Sequence, residues 1–64
     1  MMEAITVGEK IRLTNSFTGD HPIDSTATIL YIDNFDVVSI EWSDGKLSNY
    51  SDHQILSNFE EAGA

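Results

Sequence analysis

The 64-residue sequence contains no cysteine, one proline and no long run of apolar residues. Without cysteine the chain cannot form a disulfide framework, a thiolate metal site or a cysteine nucleophile, so the usual supports of very small proteins are absent. No segment approaches the ~20 apolar residues of a membrane-spanning helix. Residues 1–8 also lack the basic and apolar regions of a secretory signal. We therefore expect a cytoplasmic protein whose hydrophobic core alone holds the fold.

Cationic residues are also few, with 3 Lys and Arg against 11 Asp and Glu and a formal net charge of −8. So few cations cannot neutralise a row of phosphates, and the carboxylates repel nucleic acids and anionic membranes, so direct binding to either is disfavoured. The hydrophobic content of 41% is nevertheless too high for a disordered chain. We expect one domain over residues 1–64, with an ordered core at about 7–59 and a C-terminal tail at 60–64.

Short runs of alternating apolar and polar residues, rich in β-branched and aromatic types, predict a β-sheet protein. The first strand covers residues 10–14 and is followed by a long loop of turn formers at 15–25. The second strand covers residues 26–32, where simple alternation places Ile29 and Tyr31 on the same face. Apolar side chains on both faces of this second strand indicate that it is bent and partly wrapped.

Two short connections predict hairpins that continue the sheet. The turn at 33–36 leads into a third strand at 37–42. The Asp44-Gly45 pair then leads into a fourth strand at 46–50, because glycine accepts the positive φ that a tight hairpin turn requires. These four strands form an antiparallel meander.

The last segment fits two structures. Ser51 and Gln54 have the spacing of a capping box, and the apolar residues after them recur at helical spacing, which predicts a helix at about 52–62. The other structure is one helical turn at 51–54 followed by a closing strand at 55–59. This second structure is favoured because a fifth strand would cover an exposed edge of the meander. The predicted fold class is therefore all-β, a small SH3-like five-stranded barrel, with a short C-terminal helix as the alternative to its last strand.

The strand pattern resembles the small KOW-like and Tudor-like barrels. The segments that carry the resemblance are residues 7–13 (VGEKIRL), 27–30 (ATIL) and 40–45 (IEWSDG), together with Tyr50. They are similar to the family patterns GD-x-V-x-L, G-T-V and V-x-W-x-D-G and to an aromatic residue near the helical turn. The chain departs from the pattern by having Ala27 in place of glycine and by being acidic where nucleic-acid-binding members are basic. The resemblance implies a barrel fold, whereas the acidity argues against a nucleic-acid ligand.

The candidate binding residues are aromatic side chains in loops and the carboxylates near them. Phe35 lies in a hairpin turn between Asp33 and Asp36, where a core position is hard to reach, and Phe17 lies in the long loop. Trp42 shares a face with apolar neighbours and is predicted to lie in the core. An exposed ring among carboxylates suits a basic protein surface, since it combines an apolar anchor with complementary charge. The predicted partner-binding set is Phe17, Asp20, Asp24, Asp33, Phe35, Asp36, Glu41 and Asp44.

An antiparallel meander sorts side chains by the end of the sheet at which they lie. Phe17 falls at the end that holds the long loop, and Tyr50 falls at the opposite end, about 20 Å away for a six-residue strand. His21 and His53 also fall at opposite ends and cannot share a metal ion, so no metal or cofactor is predicted. The consecutive Ser, Asp and His at 51–53 are triad residue types, but adjacent side chains diverge from the chain. We therefore predict that the protein is not an enzyme.

The predicted function is that of an acidic protein-binding module, monomeric or weakly dimeric. It inhibits or modulates a basic DNA- or RNA-binding host protein, with nucleic-acid mimicry as one route. Over an expected diameter of about 28 Å, the charge amounts to about one per 3.5 Å, close to the spacing of about 3.4 Å along a DNA strand. In size and charge the chain resembles the small accessory proteins of bacteriophages and mobile elements, which often inhibit host DNA-binding or defence proteins. Two alternatives stay open, a structural subunit of a larger assembly and a Tudor-like reader of methylated Lys or Arg.

Overall fold

The computed structural model describes residues 4–63, which form five antiparallel strands and one short helix. The strands are β1 (Lys10–Leu13), β2 (Thr26–Ile32), β3 (Val37–Trp42), β4 (Leu47–Ser51) and β5 (Phe59–Glu61), and the helix α1 (Asp52–Asn58) lies between β4 and β5. All of these strands belong to one sheet with the spatial order β4-β3-β2-β1-β5. The predicted predominance of β-structure and the five-stranded antiparallel arrangement are thereby confirmed.

The core is built from the inward side chains of the strands and from one residue of α1. Ile11 and Leu13 of β1 are fully buried, as their alternation predicts, and Trp42 of β3 is 1% exposed. Burying a large apolar side chain contributes about 1.5–3 kcal/mol, so these residues supply the stability that the chain cannot take from disulfides. The full buried set is Ile11, Leu13, Ala27, Ile29, Val38, Ile40, Trp42, Ile55 and Phe59.

β2 departs from simple alternation because a β-bulge interrupts its pairing with β3. Ile29 pairs with Ile40 and Tyr31 pairs with Ser39, which leaves Leu30 as the extra residue. Tyr31 is 60% exposed, whereas Ile29 is fully buried. The prediction that these two side chains share a face is wrong, because one inserted residue reverses the face that every later side chain of the strand occupies.

The two structures considered for the last segment occur one after the other. Ser51 Oγ accepts a hydrogen bond from Gln54 N at 3.2 Å, and Gln54 Oε1 accepts one from Ser51 N at 3.0 Å, which completes the predicted capping box. The helix then continues to Asn58 and ends where Phe59 takes up an extended backbone. The closing strand predicted at 55–59 therefore begins four residues later, because the capped helix occupies most of that segment.

β5 pairs antiparallel with β1 and reaches Glu61, two residues beyond the predicted end of the ordered core. Arg12 lies directly opposite Glu60, and its Nε donates a hydrogen bond to Glu60 Oε2 at 2.9 Å within a salt bridge. Both side chains are 39% exposed, so this ion pair contributes only about 0–1 kcal/mol. The pairing of β5 therefore depends mainly on its backbone hydrogen bonds and on the buried Phe59.

The long loop between β1 and β2 folds back over the core through Phe17. The Phe17 ring centroid lies 5.0 Å from that of Tyr50 and 6.0 Å from that of Phe59. Phe17 is half-buried as a result. The prediction that Phe17 and Tyr50 lie about 20 Å apart, at opposite ends of the sheet, is wrong. The loop is long enough to extend along the molecule, and it brings the two rings into contact.

Candidate functional site

The turn between β2 and β3 exposes an aromatic side chain on an ordered backbone. Phe35 is 85% exposed, more than any other large apolar side chain of residues 4–63. Asp33 holds the turn from within, because its Oδ1 accepts hydrogen bonds from Phe35 N at 2.7 Å and from Val37 N at 3.0 Å. Asp33 N in turn donates to Val37 O at 3.0 Å and closes the hairpin. We call residues 33–36 the Phe35 turn. Its hydrogen bonds order the backbone, so the turn does not depend on packing of the Phe35 ring against the core.

The Phe35 turn is also attached to the start of α1. Asp36 has a positive φ of 63°, a left-handed conformation that Asp adopts more readily than most residues. Its carbonyl accepts a hydrogen bond at 2.8 Å from the N–H of Asp52, the first residue of α1. Three carboxylates, those of Asp33, Asp36 and Asp52, consequently lie at the junction that carries Phe35. This junction combines an exposed ring with local negative charge.

At the other end of β2, His21 fastens the long loop to the sheet. Its ring stacks on the indole of Trp42 with a centroid distance of 3.9 Å and an interplanar angle of 7°. Its Nε2 lies 3.1 Å from Asp44 Oδ2, and the side chain is 9% exposed. The Nδ1 atom is buried without a hydrogen-bond partner among the described residues. Sequence reasoning missed this contact, since it depends on the path of the loop.

The Asp44 carboxylate is stabilised by the β3–β4 turn in which it lies. Lys46 N donates a hydrogen bond to Asp44 Oδ1 at 3.0 Å. This backbone hydrogen bond is the main reason why the pKa of Asp44 lies below its ordinary value, and the hydrogen bond and charge of His21 lower the pKa further. Desolvation opposes the shift without cancelling it. Both neighbours therefore favour the ionised carboxylate in the folded state.

We expect Asp44 to stabilise the protein above about pH 4 and to lose this contribution in acid. A carboxyl group whose pKa is lower in the folded than in the unfolded state favours folding once it is ionised in both states. That contribution disappears as the pH falls through the lowered pKa. Asp44→Asn should therefore flatten the decrease in unfolding free energy between about pH 5 and pH 2, measured by urea denaturation.

Asp20→Asn is the matched control for this experiment, because Asp20 is exposed in the loop that His21 fastens and its carboxylate accepts no hydrogen bond from the described residues. The control should keep the wild-type pH profile. An unchanged profile in Asp44→Asn would contradict the assigned role of the turn hydrogen bonds.

The remaining predicted carboxylates do not join the Phe35 turn. Asp20 and Asp24 lie exposed in the long loop that leads into β2, whereas the Phe35 turn follows the other end of that strand. Glu41 lies exposed on the outer face of β3, between Thr28 and Leu47 of the neighbouring strands. The predicted partner-binding residues therefore do not form one surface. Asp33, Phe35 and Asp36 lie at one end of β2 and Asp20, Asp24 and Asp44 at the other, Phe17 is half-buried, and Glu41 lies on the outer face of β3.

The Ser, Asp and His at 51–53 serve the start of α1. Ser51 Oγ caps the helix, and Asp52 Oδ1 accepts a hydrogen bond from His53 N at 2.7 Å. Within residues 4–63, no group of three or more His, Asp or Glu residues is arranged to hold a metal ion. Over the same residues, no helix has the length and apolar character needed to cross a membrane.

Tyr31 and Leu47 are the most exposed of the large apolar side chains of residues 4–63 that lie outside the predicted partner-binding set. Tyr31 is turned outward by the bulge, and Leu47 is 70% exposed on β4. Alternation along the β3–β4 hairpin could have identified Leu47, because it lies directly opposite the exposed Glu41. Comparisons of the chain with protein-family models, with curated proteins and with solved structures found no match.

Proposed function

We propose that the protein is a non-enzymatic, acidic protein-binding module that recognises a basic protein through the Phe35 turn. The supporting observation is that the Phe35 ring is 85% exposed although three hydrogen bonds fix the turn beneath it. Leaving such a ring in water forgoes about 1.5–3 kcal/mol of burial free energy. A partner that covers the ring recovers this free energy, and the ordered backbone reduces the entropic cost of binding.

The charge of the protein defines the kind of partner. The chain has a formal net charge of −8, and the carboxylates of Asp33, Asp36 and Asp52 lie at the junction that carries Phe35. Such a surface attracts basic proteins over long range and disfavours acidic ones. The proposed partner is a DNA- or RNA-binding protein of the host, which the module inhibits by occupying its basic surface. A cytoplasmic location, where such a partner is accessible, forms part of this proposal.

We also propose that the sheet forms an SH3-like barrel of the KOW-like and Tudor-like kind. The strand order β4-β3-β2-β1-β5 supports it, since the chain returns through α1 to pair β5 with β1 after a four-stranded meander. An aromatic cage for methylated side chains is not proposed. Phe17 packs on Tyr50 and Phe59, and His21 covers Trp42, so these rings are already engaged by one another.

The first experiment identifies the partner and tests Phe35. The tagged protein is used to capture its partner from the host, and the purified partner is then titrated calorimetrically with wild-type protein and with Phe35→Ala. We expect affinity to fall roughly 30-fold, the effect of losing a hot spot of about 2 kcal/mol. Ile23→Ala is the control, because Ile23 is 51% exposed at the other end of β2 and should be neutral. Equal affinity of wild type and Phe35→Ala would refute the proposed surface.

Two substitutions at Asp33 separate the charge of the turn from its geometry. Asp33→Asn removes the charge but keeps a side-chain oxygen that can accept the hydrogen bonds from Phe35 N and Val37 N, whereas Asp33→Ala removes both. We expect both variants to bind less tightly, and we expect Asp33→Ala also to lose about 1 kcal/mol of unfolding free energy. Wild-type affinity should fall steeply between about 50 and 300 mM salt. Binding that is insensitive to salt argues against a basic partner.

A further inference from the structure

The sheet formed by residues 4–63 has two edge strands, which differ in how well they are shielded from pairing with a further strand. β5 is three residues long, and two of these are glutamates, one of them paired with Arg12. β4 is five residues long, contains neither a charged residue nor a proline, and pairs with β3 without a bulge. Proteins usually shield edge strands with charges, prolines, bulges or short length, because unpaired backbone groups recruit other strands. The β4 edge has none of these protections.

The β3–β4 hydrogen-bonding pattern identifies the backbone groups on the open edge. Trp42 N donates to Lys46 O at 2.8 Å next to the hairpin turn. Hydrogen-bonded and non-hydrogen-bonded pairs alternate along an antiparallel ladder, so Ser48 is the next residue of β4 whose backbone bonds to β3. The N–H and C=O groups of Leu47 and Asn49 consequently point away from β3.

The same alternation is visible at the end of β4. Ser51 N donates to the side chain of Gln54 at 3.0 Å, as expected for an N–H that faces away from β3. Outside the ladder with β3, no hydrogen bond within the described part of the chain reaches the backbone of Leu47 or Asn49. Four outward backbone groups therefore lie on two alternate residues, which is the arrangement that an added strand pairs with.

Charges at both ends of β4 select among possible occupants. Asp44 lies in the turn before the strand and Asp52 directly follows it, so the two carboxylates flank a strand about 17 Å long. Glu41 lies beside Leu47 on the outer face, and Lys46 is the cation at the same end. An extended segment with a cation at each end therefore finds favourable charge at both ends of β4. A second copy of the chain offers a matching strand but brings a further net charge of −8, which opposes self-association.

We propose that the β4 edge binds an extended, cationic segment of the partner protein, which adds to the sheet as a further strand. Backbone hydrogen bonds to Leu47 and Asn49 supply affinity, and the flanking carboxylates supply the preference for cationic residues. This inference rests on the proposed function, since it identifies the segment through which a basic partner is held. It adds a second contact next to the Phe35 turn, and the Asp52 carboxylate belongs to both surfaces.

The test uses a seven-residue peptide of alternating Thr and Val with Lys at both ends, titrated into the isotopically labelled protein at low salt. We expect the amide protons of Leu47 and Asn49 to become protected from exchange as the peptide binds. A peptide with Glu at both ends should bind at least about fivefold more weakly. A Lys-ended peptide with a central Pro lacks one backbone N–H donor and should be weakened to a similar extent. No protection at saturating peptide, or equal binding of the Glu-ended peptide, would overturn the proposal.

Two substitutions of Asn49 separate the contribution of its backbone N–H to peptide binding from that of its side chain. Asn49→Pro deletes an outward N–H and leaves the hydrogen bonds to β3 in place, as proline on edge strands does. Asn49→Ala keeps the N–H and removes the same side-chain contact with Ser39 Oγ, which lies 2.8 Å from Asn49 Oδ1. We expect Asn49→Pro to bind the Lys-ended peptide at least about fivefold more weakly than Asn49→Ala. If Asn49→Pro does not fold, exchange protection and the Pro-containing peptide still decide the question.

The two proposals fail in different ways. Phe35→Ala should bind the Lys-ended peptide as tightly as wild type does, because Phe35 lies outside β4. Peptide binding that is unaffected by Asn49→Pro overturns the edge inference alone, and captured-partner binding that is unaffected by Phe35→Ala overturns the proposed function alone. Amide protection of Leu47 and Asn49 without peptide, rising with protein concentration, identifies a second copy as the occupant and overturns the choice of a cationic segment.

Discussion

Replacing Trp42 by alanine is expected to unfold the protein at 25 °C. Trp42 is 1% exposed, and its indole lies 5.7 Å from the Phe59 ring and stacks on His21. Its Nε1 donates a hydrogen bond to Ser48 Oγ at 2.9 Å. Truncation of a buried aromatic residue to alanine costs about 3–5 kcal/mol. The single hydrophobic core of a domain of this size, without disulfides, supplies roughly 3–5 kcal/mol of stability, so the loss equals the whole of it.

Far-UV circular dichroism and amide dispersion in NMR spectra measure this outcome. Leu47→Ala is the matched control, because Leu47 is also a large apolar residue next to the same hairpin but is 70% exposed. It should change the unfolding free energy by no more than about 0.5 kcal/mol. Ser48→Ala removes only the partner of the indole N–H and should cost about 1 kcal/mol. A folded Trp42→Ala with the wild-type denaturation midpoint would show that this core assignment is wrong.

Features set by neighbouring residues were predictable from the sequence. The Asp44-Gly45 turn is one of them, because a tight hairpin needs positive φ and Gly45 has a φ of 92°. The capping box is another, since a single helical turn is enough to bring Ser51 and Gln54 into contact. Exposure of Phe35 was predictable for the same reason, because a short turn leaves its central side chain without a route into the core.

Features set by distant residues were not predictable. The bulge at Leu30 depends on how β2 curves against β3, and alternation alone contains no sign of it. The stack of His21 on Trp42 requires the path of the whole loop, as does the packing of Phe17 on Tyr50. The hydrogen bonds that Asp33 makes within the Phe35 turn depend on a rotamer that the residue type permits but does not require.

Because of the bulge, substitution by aspartate should unfold the protein at one position of β2 and be tolerated at another. Ile29 is fully buried, and its backbone bonds to the chain before β1, with Ile29 N donating to Glu9 O at 2.9 Å and Gly8 N donating to Ile29 O at 2.7 Å. Ile29→Asp places a charge in the core at a cost of several kcal/mol and also loses the buried apolar side chain, so unfolding is expected. Tyr31→Asp changes a side chain that is 60% exposed, and a loss of no more than about 1 kcal/mol is expected.

Urea denaturation followed by circular dichroism compares the two variants directly. Simple alternation places both residues on the core face and predicts that both variants unfold, whereas a bulge at Leu30 predicts that Tyr31→Asp folds and Ile29→Asp does not. Tyr31→Phe provides the control for the tyrosine hydroxyl and should match wild type in midpoint. If Tyr31→Asp unfolds while Tyr31→Phe stays folded, the Tyr31 side chain lies in the core and β2 has no bulge. A folded Tyr31→Asp instead places Tyr31 on the outer face of β2, as its 60% exposure indicates.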